Sequence, residues 1–262
     1  MKFGMRKPSL KKGFKARTTG RAKKAIKKTL KNHRITRPVY RRLAERRGQG
    51  RLQKKNRAFQ QYGEESFRLI VQTLNKAGIE FFPAYGTLLG LVRDGRLIRH
   101  DLDLDFGVTA EGKEYDWEKL IKVLTDAGFH VFHWFEYDGV IGETAFISPL
   151  SPLVKIDFFA FFKKEDCFVS HTCWRTEGRE YKSEKEFTLY EEVFPCFDSF
   201  RNVEHLGVKV PIPVNAEELL EASYTSSWRT PDENWKEENK PNKKETEGII
   251  ALIHEKESWK AD

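Results

Sequence analysis

Leu102, Leu104 and Phe106 alternate with Asp101, Asp103 and Asp105, and no other stretch of the chain constrains its fold so tightly. Successive side chains of an extended strand point to opposite faces. A strand here buries one face and lines up carboxylates along the other. Like charges ranked along one face destabilise a strand and raise one another's pKa unless a cation joins them. The plainer reading is the solvated face of an edge strand, but the apolar partners imply a packed strand. Hard carboxylate oxygens suit Mg²⁺ or Mn²⁺, which keeps waters and takes further ligands from a substrate phosphate. Asp103 and Asp105 are therefore expected as metal ligands of a phosphoryl-transfer enzyme. Asp101 is left with three roles: metal contact, ligand orientation, or a bond to the preceding loop.

A third carboxylate is expected from a neighbouring strand. Asp157 stands inside the apolar run Val154 to Phe159, where an unpaired charge is costly. It reads as a further metal ligand or as the base that takes the proton of an attacking hydroxyl. The alternative is a salt bridge to Lys155 or to an arginine.

Upstream, Tyr85-Gly86-Thr87 falls between an expected strand and a short helix. Glycine lets backbone approach a ligand, and free N–H groups at a helix start favour phosphate. The Thr87 hydroxyl is a candidate for the same oxygens; the plainer reading is a turn and N-cap. Arg93, Arg96 and Arg99 follow at a spacing that predicts one side of a helix or tight loop. Arg93 and Arg99 are candidates to clamp a donor's phosphates, or else neutralise the nearby aspartates. His100 reads as a structural neighbour.

Periodicity predicts an α+β chain. Helices are expected from about Gln53 to Gly78, over Thr87 to Arg93, Trp117 to Ala127 and Ala216 to Tyr224, and at the terminus over Thr246 to Trp259. Strands are expected over Ile79 to Ala84, Leu102 to Val108, Val131 to Tyr137, Val140 to Ile147 and Val154 to Phe162, with Phe168 to Trp174 at an edge. Asp138-Gly139 reads as a hairpin turn. Pro195, Pro211, Pro213 and Pro231 suggest irregular structure.

Charge divides the chain. Residues 1 to 60 hold 23 Lys/Arg and one acid, Glu45, whereas residues 61 to 262 hold 24 Lys/Arg against 38 Asp/Glu. We expect a basic arm over residues 1 to 50, partly helical (Ala22 to Lys31) or disordered, and a catalytic domain over 51 to 262. Such an arm suits an anionic membrane surface. Nucleic acid is the less favoured partner, because aromatics are few in the arm and the body is acidic. No apolar run is long enough for a membrane span, and Lys2, Arg6 and Lys7 are not followed by a signal-type apolar segment. Three cysteines without a CxxC pair point to free thiols and a cytoplasmic setting, peripheral to the membrane.

Four ordered motifs resemble the LicD family, which takes in the fukutin-related proteins and belongs to the nucleotidyltransferase-fold superfamily. They are GTLLGLVR (Gly86 to Arg93), HDLDLDFGV (His100 to Val108), KIDFF (Lys155 to Phe159) and VPIPVNAEELLEASYTSSWRTP (Val210 to Pro231). At the metal strand this chain lacks the tryptophan and the second aspartate common in that family. The resemblance implies a nucleotidyltransferase-like mixed central sheet flanked by helices. It implies transfer of phosphocholine or a polyol phosphate from a CDP-activated donor to a hydroxyl of a glycan or lipid-linked glycan. Tyr85, Tyr224 and Trp228 would line the donor or acceptor pocket, or pack in the core. Transfer of the nucleotide itself is the alternative.

Overall fold

A computed structural model describes residues 37–112, 115–232 and 235–255, with side chains from Gly48 onward. The expected helix over Ala22 to Lys31 lies outside the described residues, as does the rest of the arm before Arg37. The described residues from Lys54 onward form one compact unit, and those before it belong to another.

Helix α1 (Arg37–Ala77) begins sixteen residues before the expected start and stops at Gly78, whose φ of +62° is left-handed. Its Phe67, Ile70, Val71 and Leu74 are fully buried. A short strand β1 (Phe82–Pro83) follows, then helix α2 (Tyr85–Leu89) and a π-helical turn, Gly90–Asp94. Strand β2 (Asp103–Ala110) pairs antiparallel with β1 and parallel with β5 (Ser151–Lys163). The expected strand over Ile79 to Ala84 is thus two residues of pairing. Between β2 and β5 lie α3 (Trp117–Asp126) and the hairpin β3 (His130–Tyr137)–β4 (Val140–Ser148). Asp138 and Gly139 both have positive φ, as its two-residue turn requires.

Period-two burial places the core. Leu104, Phe106 and Val108 of β2 and Ile156 and Phe158 of β5 are fully buried. Phe106 stacks on Phe67 of α1 at 5.8 Å and on Phe158 at 5.3 Å. Asp103 and Asp105, and Lys155 and Asp157, fall on the opposite face.

That face curls into a closed ring. Strands β6 (Cys167–Trp174), β7 (Glu186–Pro195) and β10 (Lys243–Glu255) extend the sheet in the order β1-β2-β5-β4-β3-β10-β7-β6, and β6 pairs again with β5. β5 carries β4 along residues 151–159 and β6 along 161–163. The expectation that Phe168 to Trp174 is an edge strand is therefore overturned, since it has neighbours on both sides.

The expected terminal helix is also overturned. Ile249, Ile250 and Ile253 are β-branched and favour a strand, and Gly248 at φ +78° breaks any helix while accommodating a bulge against β7. Trp259, its expected end, lies outside the described residues. The proline-marked region holds a hairpin, β8 (Phe200–His205) and β9 (Val208–Pro213), turning on Leu206-Gly207 with positive φ at both. Helix α4 (Ala216–Tyr224) forms as expected. The fold is α+β, a central mixed sheet with few flanking helices. Cys167, Cys173 and Cys196 are free thiols, and no described helix is long and apolar enough to cross a membrane.

Candidate active site

Parallel pairing of β2 with β5 sets Asp105 opposite Asp157 and Asp103 opposite Lys155. The Lys155 ammonium lies 2.6 Å from Asp157 Oδ2 and 3.5 Å from Asp103 Oδ2. The salt bridge weighed for Asp157 is thus present, yet it uses one oxygen only. Asp157 Oδ1 is buried with no hydrogen-bond partner.

Helix α2 closes over these acids. A Cβ on Gly86 would meet Asp101 Oδ2 at 2.7 Å and Asp105 Oδ2 at 3.6 Å, so any larger residue must push the Asp101 carboxylate aside. Thr87 Oγ1 accepts the backbone N–H of Asp105 at 2.8 Å. Its oxygen thereby holds the strand that carries Asp103 and Asp105, a bond that does not use the Thr87 O–H. Asp101 Oδ1 accepts the N–H of Leu102 at 3.0 Å, while its N–H donates to Ile98 of the preceding loop.

Two cavities meet at this point. The larger, about 640 Å³, opens into the strand ring and is lined by Tyr85, Asp101, Asp103, Asp105 and Asp157. The smaller, about 380 Å³, is lined by Arg93, His100, Trp228 and Trp235. Gly86, Asp101 and Tyr224 face both.

Tyr85 is buried in the larger cavity, with its phenol 3.4 Å from Ser170 Oγ and the Lys240 ammonium 4.1 Å from its ring centre. Burial, then Glu192, pushes its hydroxyl well above the usual pKa. Trp228 is buried against the smaller cavity, its indole N–H without a partner and the Arg229 guanidinium 4.2 Å over its ring. Arg93 also faces the smaller cavity, held by Asp94 at 2.9 and 3.0 Å. Arg99 faces neither cavity; its carbonyl accepts from Asn56 and Gln60. Gly95, at φ +67°, ends the helical turn, and of Arg93, Arg96 and Arg99 it is Arg93 that lines a cavity beside the acids.

Burial first, and neighbouring acids second, raise the carboxyl pKa values. Asp101 rises to about 7, with Asp103 the next cause. Asp103 rises by burial and then Asp157, and Asp105 rises well above its ordinary value by burial and then Asp103. Asp157 rises by burial against the opposing pull of Lys155. Asp101, Asp103, Asp105 and Asp157 line one cavity and offer the hard oxygen donors that a Mg²⁺ or Mn²⁺ ion takes, so by donor chemistry they fit such an ion. Among the described residues, the group whose ligand atoms lie within 4.8 Å of one another is His133, Glu143 and Asp157, the last with its orphaned buried oxygen.

Sequence reasoning missed Glu143 and His133 on the same cavity. Glu143 carries the signal that identified Asp157, an acid inside an apolar strand. His133 lies in an alternating run that offers no comparable mark.

Residues 78–215 match the family model described as LicD/FKTN/FKRP, nucleotidyltransferase domain. The chain belongs to this family. The match takes in Gly86, the Asp101 to Asp105 strand and Asp157, whereas Trp228, Lys240 and β10 lie beyond it. Among curated relatives, the ribitol-5-phosphate transferases FKTN of Macaca fascicularis and Homo sapiens are each 29% identical over 197 residues. That of Mus musculus is 24% identical over 195 residues. Each alignment takes in 74% of this chain and only 39% of the relative's length.

Proposed function

We propose that the chain is a metal-dependent transferase moving a polyol phosphate from a CDP-activated donor to a sugar hydroxyl of a glycan or lipid-linked glycan. The observation that carries this is the register of Asp105 against Asp157, with Asp101 and Asp103 on the same cavity wall beneath Gly86. Family membership and the printed activity of the relatives support it.

Asp103, Asp105 and Asp157 would hold a divalent ion. Mg²⁺ or Mn²⁺ would offset charge on the donor's diphosphate and on the leaving nucleotide. Without a Cβ at Gly86 the Asp101 carboxylate packs against the start of α2, and the donor's diphosphate would bind beside that contact. Lys155 supplies a cation beside Asp103 and Asp157, and Asp157 would be the candidate to accept the proton of the attacking hydroxyl. The two cavities that meet at Asp101 offer separate rooms for donor and acceptor, with Trp228 and Arg93 in the smaller. Arg99, whose side chain stands apart in this structure, keeps a donor-binding role only if the loop before β2 closes on the substrate.

A polyol is favoured over choline on the state of the aromatic rings. Recognition of a quaternary ammonium needs open aromatic faces. Here Lys240 covers Tyr85, Arg175 lies 5.3 Å from the Phe187 ring centre, and Lys243 lies 5.1 Å from that of Trp174. A wall already capped by cations suits hydroxyls and phosphate instead.

The test is incubation with CDP-ribitol, CDP-glycerol and CDP-choline, Mg²⁺ and sugar acceptors, following CMP release and product mass. Polyol donors should turn over, with Asp103→Asn and Asp157→Asn inactive. An acceptor that gains a nucleoside monophosphate would point to nucleotidyl transfer; no turnover with any donor would overturn the reading. The basic arm we assign to an anionic membrane surface on the cytoplasmic side. Removing residues 1–36 should abolish sedimentation with anionic liposomes and spare turnover of a soluble acceptor.

A further inference from the structure

The wall that carries Asp105 and Asp157 continues in register across two more strands. Asp157 of β5 lies opposite Ala145 of β4, and Ala145 lies opposite His133 of β3. Neighbouring strands are about 4.8 Å apart, so a side chain as small as alanine leaves a gap between Asp157 and His133. Glu143, two residues from Ala145 on the same strand face, borders this gap. Ligand atoms of His133, Glu143 and Asp157 all lie within 4.8 Å of one another, and all three residues are buried.

The plain account is a buried hydrogen-bonded pair, and the geometry does not supply it. His133 Nε2 stands 3.7 Å from Glu143 Oε1, beyond hydrogen-bond range. A buried polar group without a partner is costly. Asp157 Oδ1, in a residue only 3% exposed, is such a group within the cluster. Charge points the same way. Six carboxylates face the larger cavity against three lysine or arginine side chains, before any diphosphate adds its own negative charge. A single divalent ion at Asp103 and Asp105 would still leave one negative charge uncompensated, to which the diphosphate then adds.

We propose that His133, Glu143 and Asp157 form a second divalent-cation site, distinct in chemistry from the all-oxygen site at Asp103 and Asp105. One imidazole with two carboxylates favours a borderline ion such as Zn²⁺ over Mg²⁺. Three protein ligands leave a further coordination position, and the cavity gives it somewhere to point. That arrangement belongs to ions that meet substrate rather than to purely structural ones. The site shares Asp157 with the transferase reading but does not depend on which group is transferred.

The test uses the full chain, with ZnCl₂ as the probe and excess MgCl₂ present. Crystals soaked in both should show an anomalous peak at the zinc edge between the three side chains. Calorimetric titration should show His133→Ala and Glu143→Gln weakening Zn²⁺ binding by more than about tenfold, since even outer-shell changes at metal sites cost that much. Asp103→Asn should leave the zinc affinity in place. No peak between the three residues, or an affinity unmoved by His133→Ala, overturns the proposal. Zinc found only at Asp103 and Asp105 would remove this second site while leaving the transferase metal site standing. The soaked wild-type crystal decides the matter even if a variant fails to fold.

Discussion

Thr87 Oγ1 accepts the backbone N–H of Asp105 at 2.8 Å, which ties the start of α2 to the strand that carries the acids. Thr87 is 2% exposed, so water cannot replace this bond. Thr87→Val should therefore cost about 1–2 kcal/mol of stability in urea unfolding. It should also lower kcat more than it raises KM, because Asp105 moves while the walls of both cavities stay. Thr87→Ser should restore both. A valine variant with unchanged kcat would separate this hydrogen bond from catalysis.

Gly86 faces Asp101 Oδ2 so closely that a methyl group would stand 2.7 Å from it. Gly86→Ala must displace the Asp101 carboxylate or the start of α2. Misplacement of reacting groups by about 1 Å costs on the order of a hundredfold in rate. The expected outcome is that loss in kcat/KM with a melting temperature close to wild type. An active Gly86→Ala enzyme would show that the donor does not approach over this glycine.

Much of this site was legible before the fold was known, for physical reasons specific to each residue. Asp103 and Asp105 stood out because period-two alternation with Leu102, Leu104 and Phe106 has one structural solution. Asp157 stood out because a charge inside an apolar strand demands a partner. The ring of strands was not legible, because the β5–β6 pairing joins segments whose contact no local pattern encodes. β10 was misread because Ile249 to Ile253 is an apolar run compatible with helix or strand, although its β-branched isoleucines and Gly248 argued for a strand. The buried Lys240–Glu192 pair at 3.2 Å, beside Tyr85, joins a loop to β7 and left no mark in either segment.

Lys155 stands between Asp103 and Asp157, and its ammonium is the cation closest to both. Lys155→Met removes that charge and leaves the buried Asp157 and the partly exposed Asp103 without it. Breaking a fully buried pair costs about 3–5 kcal/mol, and the exposure of Lys155 and Asp103 makes the cost smaller here. In chelator-treated protein the melting temperature should fall accordingly. Adding Mn²⁺ should then stabilise Lys155→Met more than wild type, because the ion compensates what the lysine no longer does. Equal Mn²⁺-induced gains in the two proteins, read by scanning calorimetry, would place the ion away from Lys155.

The ring of strands should also lose stability in acid through His171. Its Nδ1 lies 2.8 Å from the Tyr137 hydroxyl, and burial, with Lys164 second, lowers its pKa to about 4. Glu191, 4.0 Å away and half exposed, does not reverse this. An unfolded chain binds the proton near pH 6.5, so between those values the unfolded state holds more protons than the folded one. Stability is therefore full above about pH 6.5 and is lost as pH falls toward about 4, by an amount on the order of 2–3 kcal/mol. His171→Gln can keep a hydrogen bond to Tyr137 without titrating. Urea unfolding at pH 7.5, 6 and 5 should give a shallower pH slope for His171→Gln than for wild type; parallel slopes would assign the acid sensitivity to other groups.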